Sequence, residues 1–246
     1  MEIVKFGTLH YGGYPAPPNA PYTSYLDGIT IGDSMPKKEI SWVKVGTLFV
    51  STKVIALGVN WDDLYRIGLI YGRPISIDGK PYLCRSPSVG KLNEDSSEWA
   101  DIVDSCNNEE KCTVLSPERW FWGQEKAPSF KDAHIICGYS SLKMKSYADD
   151  DTQTWDCGFR PVLEPMDSDF DSCVSDSLIG KTLSMCGPRG RITGTLKETS
   201  DYDLRLSRRS VSGLLEDLSG WASLHGDDIV VTRDQIRFMQ IEKGDE

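Results

Sequence analysis

The stretch that most limits how this chain can fold is TWDCGFRPVLE at 154–164, an apolar run with a proline near its centre. Its aromatic and β-branched residues predict a β-strand. Proline has no backbone N–H to donate, so within a sheet it belongs on an edge strand or at a gap in the hydrogen-bond ladder. We therefore predict an edge strand that ends its domain and pairs on one side only. Alternation places Phe159 and Leu163 on the face opposite Arg160.

Composition and charge narrow the functional classes. The chain has 246 residues, 39% of them hydrophobic, which is enough to bury a core in one large or two small domains. The first 177 residues carry −9 of the net charge of −10. Because an acidic body repels phosphates, it argues against non-specific nucleic-acid binding and suits a basic partner.

The compartment is predicted from what the sequence lacks. No apolar run approaches the roughly 18–20 residues that span a bilayer, and the start MEIVKFG has no signal-peptide character. The seven cysteines contain no C-x-x-C pair, which favours reduced thiols and a cytoplasmic protein, although a Cys106–Cys112 bridge remains open.

Periodicity and turn residues predict the local elements. Residues 10–39 are rich in glycine and proline and predict an ordered loop or extended arm. Two strands follow between 40 and 60, and then a short helix with Asn60 or Asp62 as its N-cap. Asp78–Gly79 predicts a type I′ hairpin. A second helix, NEDSSEWADIVDSC, places Trp99, Ile102 and Val103 on one face.

A change in composition predicts the domain boundary. Residues 167–177 are acidic, small and poor in apolar side chains, as expected of a linker. We therefore predict an α+β domain at 1–166 and a small β-barrel at 178–246. A helical insertion from about Ser212 to Trp221 interrupts the strands of the barrel.

Several blocks in 60–164 resemble a known module. In order they are N-x-x-S-x-E-W, W-F-W-G-Q-E, an apolar strand ending in G-Y, and W-x-C-G-F-R-P-V-L-E. This order resembles the C-type-lectin-like modules of bacterial and prophage proteins, which are related to the formylglycine-generating (sulfatase-modifying) enzymes. Those enzymes use a cysteine pair shortly before the G-F-R strand, and here only Cys137 lies nearby. The resemblance therefore implies a non-catalytic binding module without a cofactor.

A ligand site in this module is predicted where aromatic planes adjoin amide and carboxylate groups. The candidates are Trp122, Gln124, Glu125, Tyr139 and the Asp149–Asp151 loop. Arg160 joins them if it is functional. If it is structural, we expect it to be buried and held by a carboxylate or by loop carbonyls.

The C-terminal strands resemble an Sm-like small barrel, at about 178–243. This resemblance implies an RNA-binding alternative, with Tyr202 for base stacking and Arg233 in the second binding loop. Asp203 and Asp234 stand where that family has asparagine and glycine, so bound phosphate would meet added negative charge. The resemblance also implies homo-oligomers formed through the barrel.

Other motifs predict little chemistry. ITIGDSM resembles the nucleophile strand of GDSL-type hydrolases, with Ser34 as the candidate, but the required D-x-x-H is missing. DSDFDS lacks the glycine and glutamate of a calcium loop, so we predict no metal. The favoured function is therefore binding of a protein partner or a small polar ligand. One version is a phage-encoded inhibitor or sponge of a host-defence protein.

Overall fold

The computed structural model describes residues 2–22, 28–107, 114–128, 130, 132–166, 178–187, 190–200, 202–212, 221–236 and 238–241. The protein is 50% strand and 9% helix, so the predicted α+β class is wrong and the fold is mostly β. The chain divides into two compact units. One comprises Met1–Ile70 with Ile75–Pro165, and the other comprises Tyr71–Pro74 with Met166–Glu246.

The first unit contains two sheets and two short helices, and one of its strands begins with Arg73 and Pro74, which are grouped with the second unit. Its strands are β1 (Ile3–Tyr11), β2 (Tyr14–Ala16), β3 (Ala20–Pro21), β4 (Ile29–Gly32), β5 (Glu39–Val45), β6 (Leu48–Ser51), β7 (Ala56–Leu57), β8 (Arg73–Ile77), β9 (Lys80–Arg85), β10 (Trp120–Lys126), β11 (Ala133–Gly138), β12 (Lys145–Asp149), β13 (Cys157–Phe159) and β14 (Val162–Pro165). The helices are α1 (Trp61–Arg66) and α2 (Glu98–Asn107). The first sheet has the order β2-β1-β5-β6-β14-β9-β8, with β4 also paired to β1, and the second has the order β12-β11-β10-β13-β7-β3.

The stretch that contains Pro161 is divided between these two sheets. β13 pairs with β10 and β7 in the second sheet, whereas β14 pairs with β6 and β9 in the first. The edge-strand prediction is therefore wrong, because β14 has a neighbour on both sides. Pro161 lies in the gap between β13 and β14, where the ladder needs no N–H. Its carbonyl still accepts a hydrogen bond from the Ser51 N–H at 3.1 Å.

The predicted N-terminal arm belongs to the sheets instead. β1, β2 and β4 join the first sheet and β3 joins the second, while Leu9 and Ile31 are buried in the core. Gly7 has φ of +68° at the register shift in the β1–β5 pairing. Short strands separated by glycine and proline lack a clear period, and their partners lie elsewhere in the chain.

Local predictions with strong turn or capping chemistry are confirmed. Asp78 and Gly79 have φ of 52° and 75°, as a type I′ turn requires, and they join β8 to β9. The Asn60 side chain caps α1 by accepting from the Asp63 N–H at 2.7 Å. Trp99 and its neighbours on α2 pack into the core between the sheets and that helix.

The second unit is built on one further sheet. Its strands are β15 (Thr182–Gly187), β16 (Gly190–Thr199), β17 (Asp203–Ser212), β18 (Ala222–His225), β19 (Asp228–Thr232) and β20 (Phe238–Ile241), in the order β18-β19-β17-β16-β15-β20. A 3-10 helix, Arg233–Gln235, precedes β20. The predicted helical insertion lies mostly outside the described residues, although Ser212 ends β17 and Trp221 is buried.

Candidate functional site

Trp122 is a core residue rather than an exposed ligand platform. Its side chain is 0% exposed, and the indole Nε1–H donates to the Val59 carbonyl at 2.8 Å. A buried tryptophan usually finds such a partner for its one donor. This indole therefore holds β10 against the segment that leads into α1.

Gln124 and Glu125 support the loop that precedes α2. The Gln124 amide donates to the Ser86 carbonyl at 2.7 Å. The Glu125 carboxylate accepts from the Ser88 hydroxyl at 2.5 Å and from the Val89 N–H at 3.0 Å. These bonds give both side chains partners within the protein.

Arg160 is fully buried between aromatic rings. Its guanidinium carbon lies 5.0 Å from the Trp99 ring centroid and 5.3 Å from that of Phe121. The Nε–H donates to the Ser51 carbonyl at 3.1 Å, and Nη2 donates to the Thr52 carbonyl at 2.5 Å. Among the described residues its partners are thus main-chain carbonyls and aromatic faces, not a carboxylate. Burial lowers the pKa of the guanidinium to about 9.

Tyr139 is half-exposed and lies apart from the Asp149–Asp151 loop. Its φ is +70°, a left-handed conformation uncommon for an aromatic residue, and its ring stacks on Trp120 at 5.5 Å. Tyr139 follows the last residue of β11, whereas the first, Ala133, pairs with Asp149. At about 3.3 Å per residue, the two places are separated by the length of that strand.

The Asp149–Asp151 loop lines a cavity of about 590 Å³ that we call the acidic cavity. Its lining residues are Asp62, Phe130, Asp132, Asp149, Asp150 and Asp151. Main-chain hydrogen bonds assemble it, because the Asp62 N–H donates to the Asp150 carbonyl at 3.2 Å and the Asp150 N–H donates to the Asp132 carbonyl at 3.0 Å. The start of α1, the start of β11 and the end of β12 therefore converge.

The carboxylates of the acidic cavity repel one another. The pKa of Asp62 is raised, first by burial and then by the charges of Asp150 and Asp151, with Arg66 and His134 acting in the opposite direction. His134 is buried, contacts the Asp150 carboxylate through Nδ1 at 2.5 Å, and stacks on Trp61. A cation in the cavity would relieve the repulsion around Asp62.

An exposed aromatic pair adjoins these carboxylates. The Phe130 and Tyr147 rings stack with centroids 4.3 Å apart, and they remain 44% and 42% exposed. Phe130 lines the cavity, and Tyr147 lies two residues before Asp149 on β12, so the Tyr147 and Asp149 side chains share a face. Carboxylates beside aromatic faces attract ammonium and guanidinium groups.

The sequence pointed to only part of this cavity. The Asp149–Asp151 run is visible in the sequence as consecutive acids, but Asp62 is predicted there only as an N-cap candidate, and no local pattern connects Asp132, Phe130 or Tyr147 with the run. The cavity acids share one signal in the sequence, namely a position at or near the end of a strand or helix. Only the β11–β12 register and the main-chain hydrogen bonds that join Asp62 to Asp150 and Asp150 to Asp132 bring these acids to one space.

Ser34 takes part in a structural network. Its hydroxyl donates to the Asp78 carboxylate at 2.5 Å and accepts from the Gly7 N–H at 2.8 Å. A serine hydrolase needs a histidine base at this hydroxyl, and the hydrogen bonds of Ser34 instead tie the loop after β4 to the β8–β9 hairpin.

Within the described parts of the chain, no group of three or more His, Cys, Asp or Glu residues is arranged to hold a metal ion. The helices described there include none that is long and apolar enough to cross a bilayer.

In the second unit, the structure brings the two residues of the RNA-binding alternative together. The Arg233 N–H donates to the Tyr202 carbonyl at 2.8 Å, so the β16–β17 loop meets the 3-10 helix before β20. Tyr202 is 78% exposed and Arg233 is partly buried. Asp203 directly follows Tyr202, which keeps a negative charge at this place.

The chain was also compared with known proteins. No protein-family model, curated protein or solved structure matches it. The resemblances to C-type-lectin-like modules and to Sm-like barrels therefore stay predictions drawn from the residues quoted above.

Proposed function

We propose that this chain is a non-catalytic binding protein whose acidic cavity takes a cationic group, the ammonium or guanidinium of a protein partner. The observation that carries the proposal is the convergence of five aspartates and Phe130 on one space. The net charge of the first 177 residues, −9, adds a field that draws in a basic partner. Inhibition of a host-defence protein would be one form of such binding.

Calorimetric titration with an acetylated, amidated Arg-rich hexapeptide tests this proposal. We expect binding that weakens as salt is raised, because exposed charge pairs are screened within about 8–10 Å at physiological ionic strength. In the double variant Asp62→Asn/Asp151→Asn, affinity should fall by about threefold to thirtyfold, given up to about 1 kcal/mol for each of the two exposed pairs.

The control for the aspartate variants is Asp101→Asn, which removes an exposed acid on α2 that does not line the cavity. An equal loss of peptide affinity in this control would show only a general charge effect. Unchanged affinity in the double variant would contradict the proposal. Binding of free arginine amide but not of the peptide would point to a small-molecule ligand.

RNA binding through the second unit is a second candidate, supported by the contact between the loops of Tyr202 and Arg233. Stacking of a base on an aromatic ring is worth about 1–3 kcal/mol. Tyr202→Ala should therefore weaken binding of a single-stranded RNA at least about fivefold, while Tyr202→Phe retains it, as measured by fluorescence anisotropy.

The matched control for RNA binding is Tyr14→Ala, because Tyr14 is also 78% exposed but belongs to the first unit. RNA affinity that is the same in Tyr202→Ala, Tyr14→Ala and the unmodified protein would reject this candidate.

A further inference from the structure

β12 ends the second sheet beside the acidic cavity and presents a free hydrogen-bonding edge. It pairs antiparallel with β11, from Lys145 opposite Cys137 to Asp149 opposite Ala133, and the strands that the structure describes include no second neighbour for it. Its residues are exposed or half-buried along its whole length. The edge is therefore open to a further strand.

The register shows which peptide groups face outward. The Gly138 N–H donates to the Met144 carbonyl, and the Asp150 N–H donates to the Asp132 carbonyl, at the two ends of the ladder. Hydrogen-bonded pairs alternate in an antiparallel ladder, so Ser146 and Ala148 also bond to β11. The main-chain groups of the intervening residues, Lys145, Tyr147 and Asp149, point away from it.

These outward groups are available for pairing. Among the described residues, the N–H and carbonyl groups of Tyr147 have no hydrogen-bond partner, and neither does the Asp149 N–H. The Asp149 carbonyl accepts from the Thr152 N–H at 2.9 Å. A strand added to β12 would thus find both a donor and an acceptor at Tyr147.

The other three terminal strands of the sheet orders each contain a proline, which β12 lacks; β4, for which the described pairings give β1 alone, lies off these orders. The sheet orders end at β2, β8, β3 and β12. The first three contain Pro15, Pro74 and Pro21, which remove donors and discourage edge-to-edge pairing. β12 reads KSYAD and contains no proline. Its edge thus keeps the donors that strand addition requires.

Charge identifies the occupant of this edge. Asp149 ends β12, and the remaining acids of the cavity lie directly beyond it. Lys145, at the other end of the strand, donates its ammonium protons to the carbonyls of Lys91 at 3.1 Å and Glu94 at 2.6 Å, and so is directed away from the cavity. The exposed Phe130–Tyr147 pair adds an aromatic surface that suits cationic side chains.

We propose that an extended, basic segment of a protein partner adds to β12 as a further strand and places a lysine or arginine in the acidic cavity. This inference rests on the proposed function and specifies its mode. Main-chain hydrogen bonds to Tyr147 supply part of the affinity, and alternate side chains of the segment supply specificity. The segment is recognised by its extended backbone as well as by its charge.

Two substitutions at Tyr147 separate main-chain pairing from side-chain contact. Tyr147→Pro removes the ring and the outward N–H, whereas Tyr147→Ala removes only the ring. Because this N–H faces away from β11, proline leaves that ladder intact, and equal thermal midpoints of the two variants would verify this. The probes are an acetylated, amidated hexapeptide with arginine at alternate positions, and arginine amide.

We expect Tyr147→Pro to bind the hexapeptide at least about tenfold more weakly than Tyr147→Ala does, while both bind arginine amide equally. In the unmodified protein, hydrogen exchange at the Tyr147 amide should slow when the hexapeptide binds. A hexapeptide N-methylated on alternate residues, which cannot pair along one edge, should bind at least about tenfold more weakly. That measurement needs no protein variant.

The outcomes distinguish this inference from the function on which it rests. If the hexapeptide binds in a manner that depends on Asp62 and Asp151, but Tyr147→Pro and N-methylation have no effect, the strand addition is wrong and the cationic site stands. If neither probe binds the unmodified protein, both proposals fall. If an acidic hexapeptide binds as tightly as the basic one, the assignment of a basic segment is overturned.

Discussion

Replacing Arg160 by methionine, lysine or alanine tests how a fully buried guanidinium is tolerated in the core. Burial lowers the pKa of Arg160 from its ordinary value to about 9. At about 1.4 kcal/mol for each pH unit, the charge costs the folded state on the order of 5 kcal/mol. This cost is present below pH 9, where the group is charged in both states, and it diminishes only as the pH rises from 9 towards the ordinary pKa of arginine.

Two contributions oppose this cost. The hydrogen bonds to the carbonyls of Ser51 and Thr52 come from a charged donor and contribute about 1.5–3 kcal/mol each. Packing against Trp99 and Phe121 contributes about 3–5 kcal/mol, by analogy with large-to-small core substitutions. Thr52 also accepts from the Ser116 N–H, so its carbonyl keeps a donor when Arg160 is removed.

The three variants should therefore differ in their free energy of unfolding, and the order of their stabilities is as informative as the size of the differences. Arg160→Met keeps most of the packing and relieves the charge, so we expect a free energy of unfolding within about 2 kcal/mol of the original. Arg160→Ala loses the packing and should cost about 3 kcal/mol. Arg160→Lys keeps a buried charge without the planar donor array and should be less stable than Arg160→Met.

Urea unfolding followed by tryptophan fluorescence measures these differences, because all tryptophans except Trp221 lie before residue 166. A loss of 3 kcal/mol should lower the midpoint by about 1–2 M urea. The difference between Arg160→Met and the original should stay constant from pH 6 to 9. An unchanged midpoint in Arg160→Ala, or greater stability of Arg160→Lys than of Arg160→Met, would refute the reasoning.

Three further predictions concern packing, charge and thiol chemistry. Gly158→Ala should prevent folding of the first unit, as seen by circular dichroism, because its Cβ would overlap the Ala56 carbonyl of β7; a cooperative melt like the original would contradict this. Asp62→Asn should raise the free energy of unfolding at neutral pH, because burial and Asp150 raise the pKa of Asp62. The gain should shrink as the pH falls through that raised pKa towards 3.8, and a pH-independent gain would argue against it. Burial raises the pKa of Cys137 to about 12, so iodoacetamide at pH 8 should label this thiol only after denaturation, and rapid labelling of the native protein, detected by mass spectrometry, would disprove this.

The features that the sequence predicts correctly are those that depend on interactions between residues close together in the chain. The Asp78–Gly79 turn, the Asn60 cap and the buried face of α2 depend on residues a few positions apart, and they were predicted correctly. The β1–β4 region was mistaken for an arm because its pairing partners lie elsewhere in the chain. Local propensity cannot report a strand that only distant pairing stabilises.

The candidate site likewise combines features visible in the local sequence with features that depend on distant contacts. Consecutive acids at Asp149–Asp151 are visible in the sequence, but Asp62 and Asp132 join them only through main-chain hydrogen bonds that close the cavity. Trp122 looked like part of a ligand platform because an aromatic residue in a strand can face either solvent or core. Its burial depends on which face of β10 is covered, which residue spacing alone does not reveal.

By itself, the sequence determined the turns, the caps, the acidic charge and a missing main-chain donor at Pro161. Because proline has no N–H, the stretch needs either an edge position or a gap in the ladder, and the sequence does not choose between them. Only the tertiary structure decided for the gap, since β13 and β14 belong to different sheets, with Arg160 buried beside aromatic rings. The choice of sheet depends on which distant strands offer an open edge and on where an apolar face can be buried, and both are properties of the assembled fold.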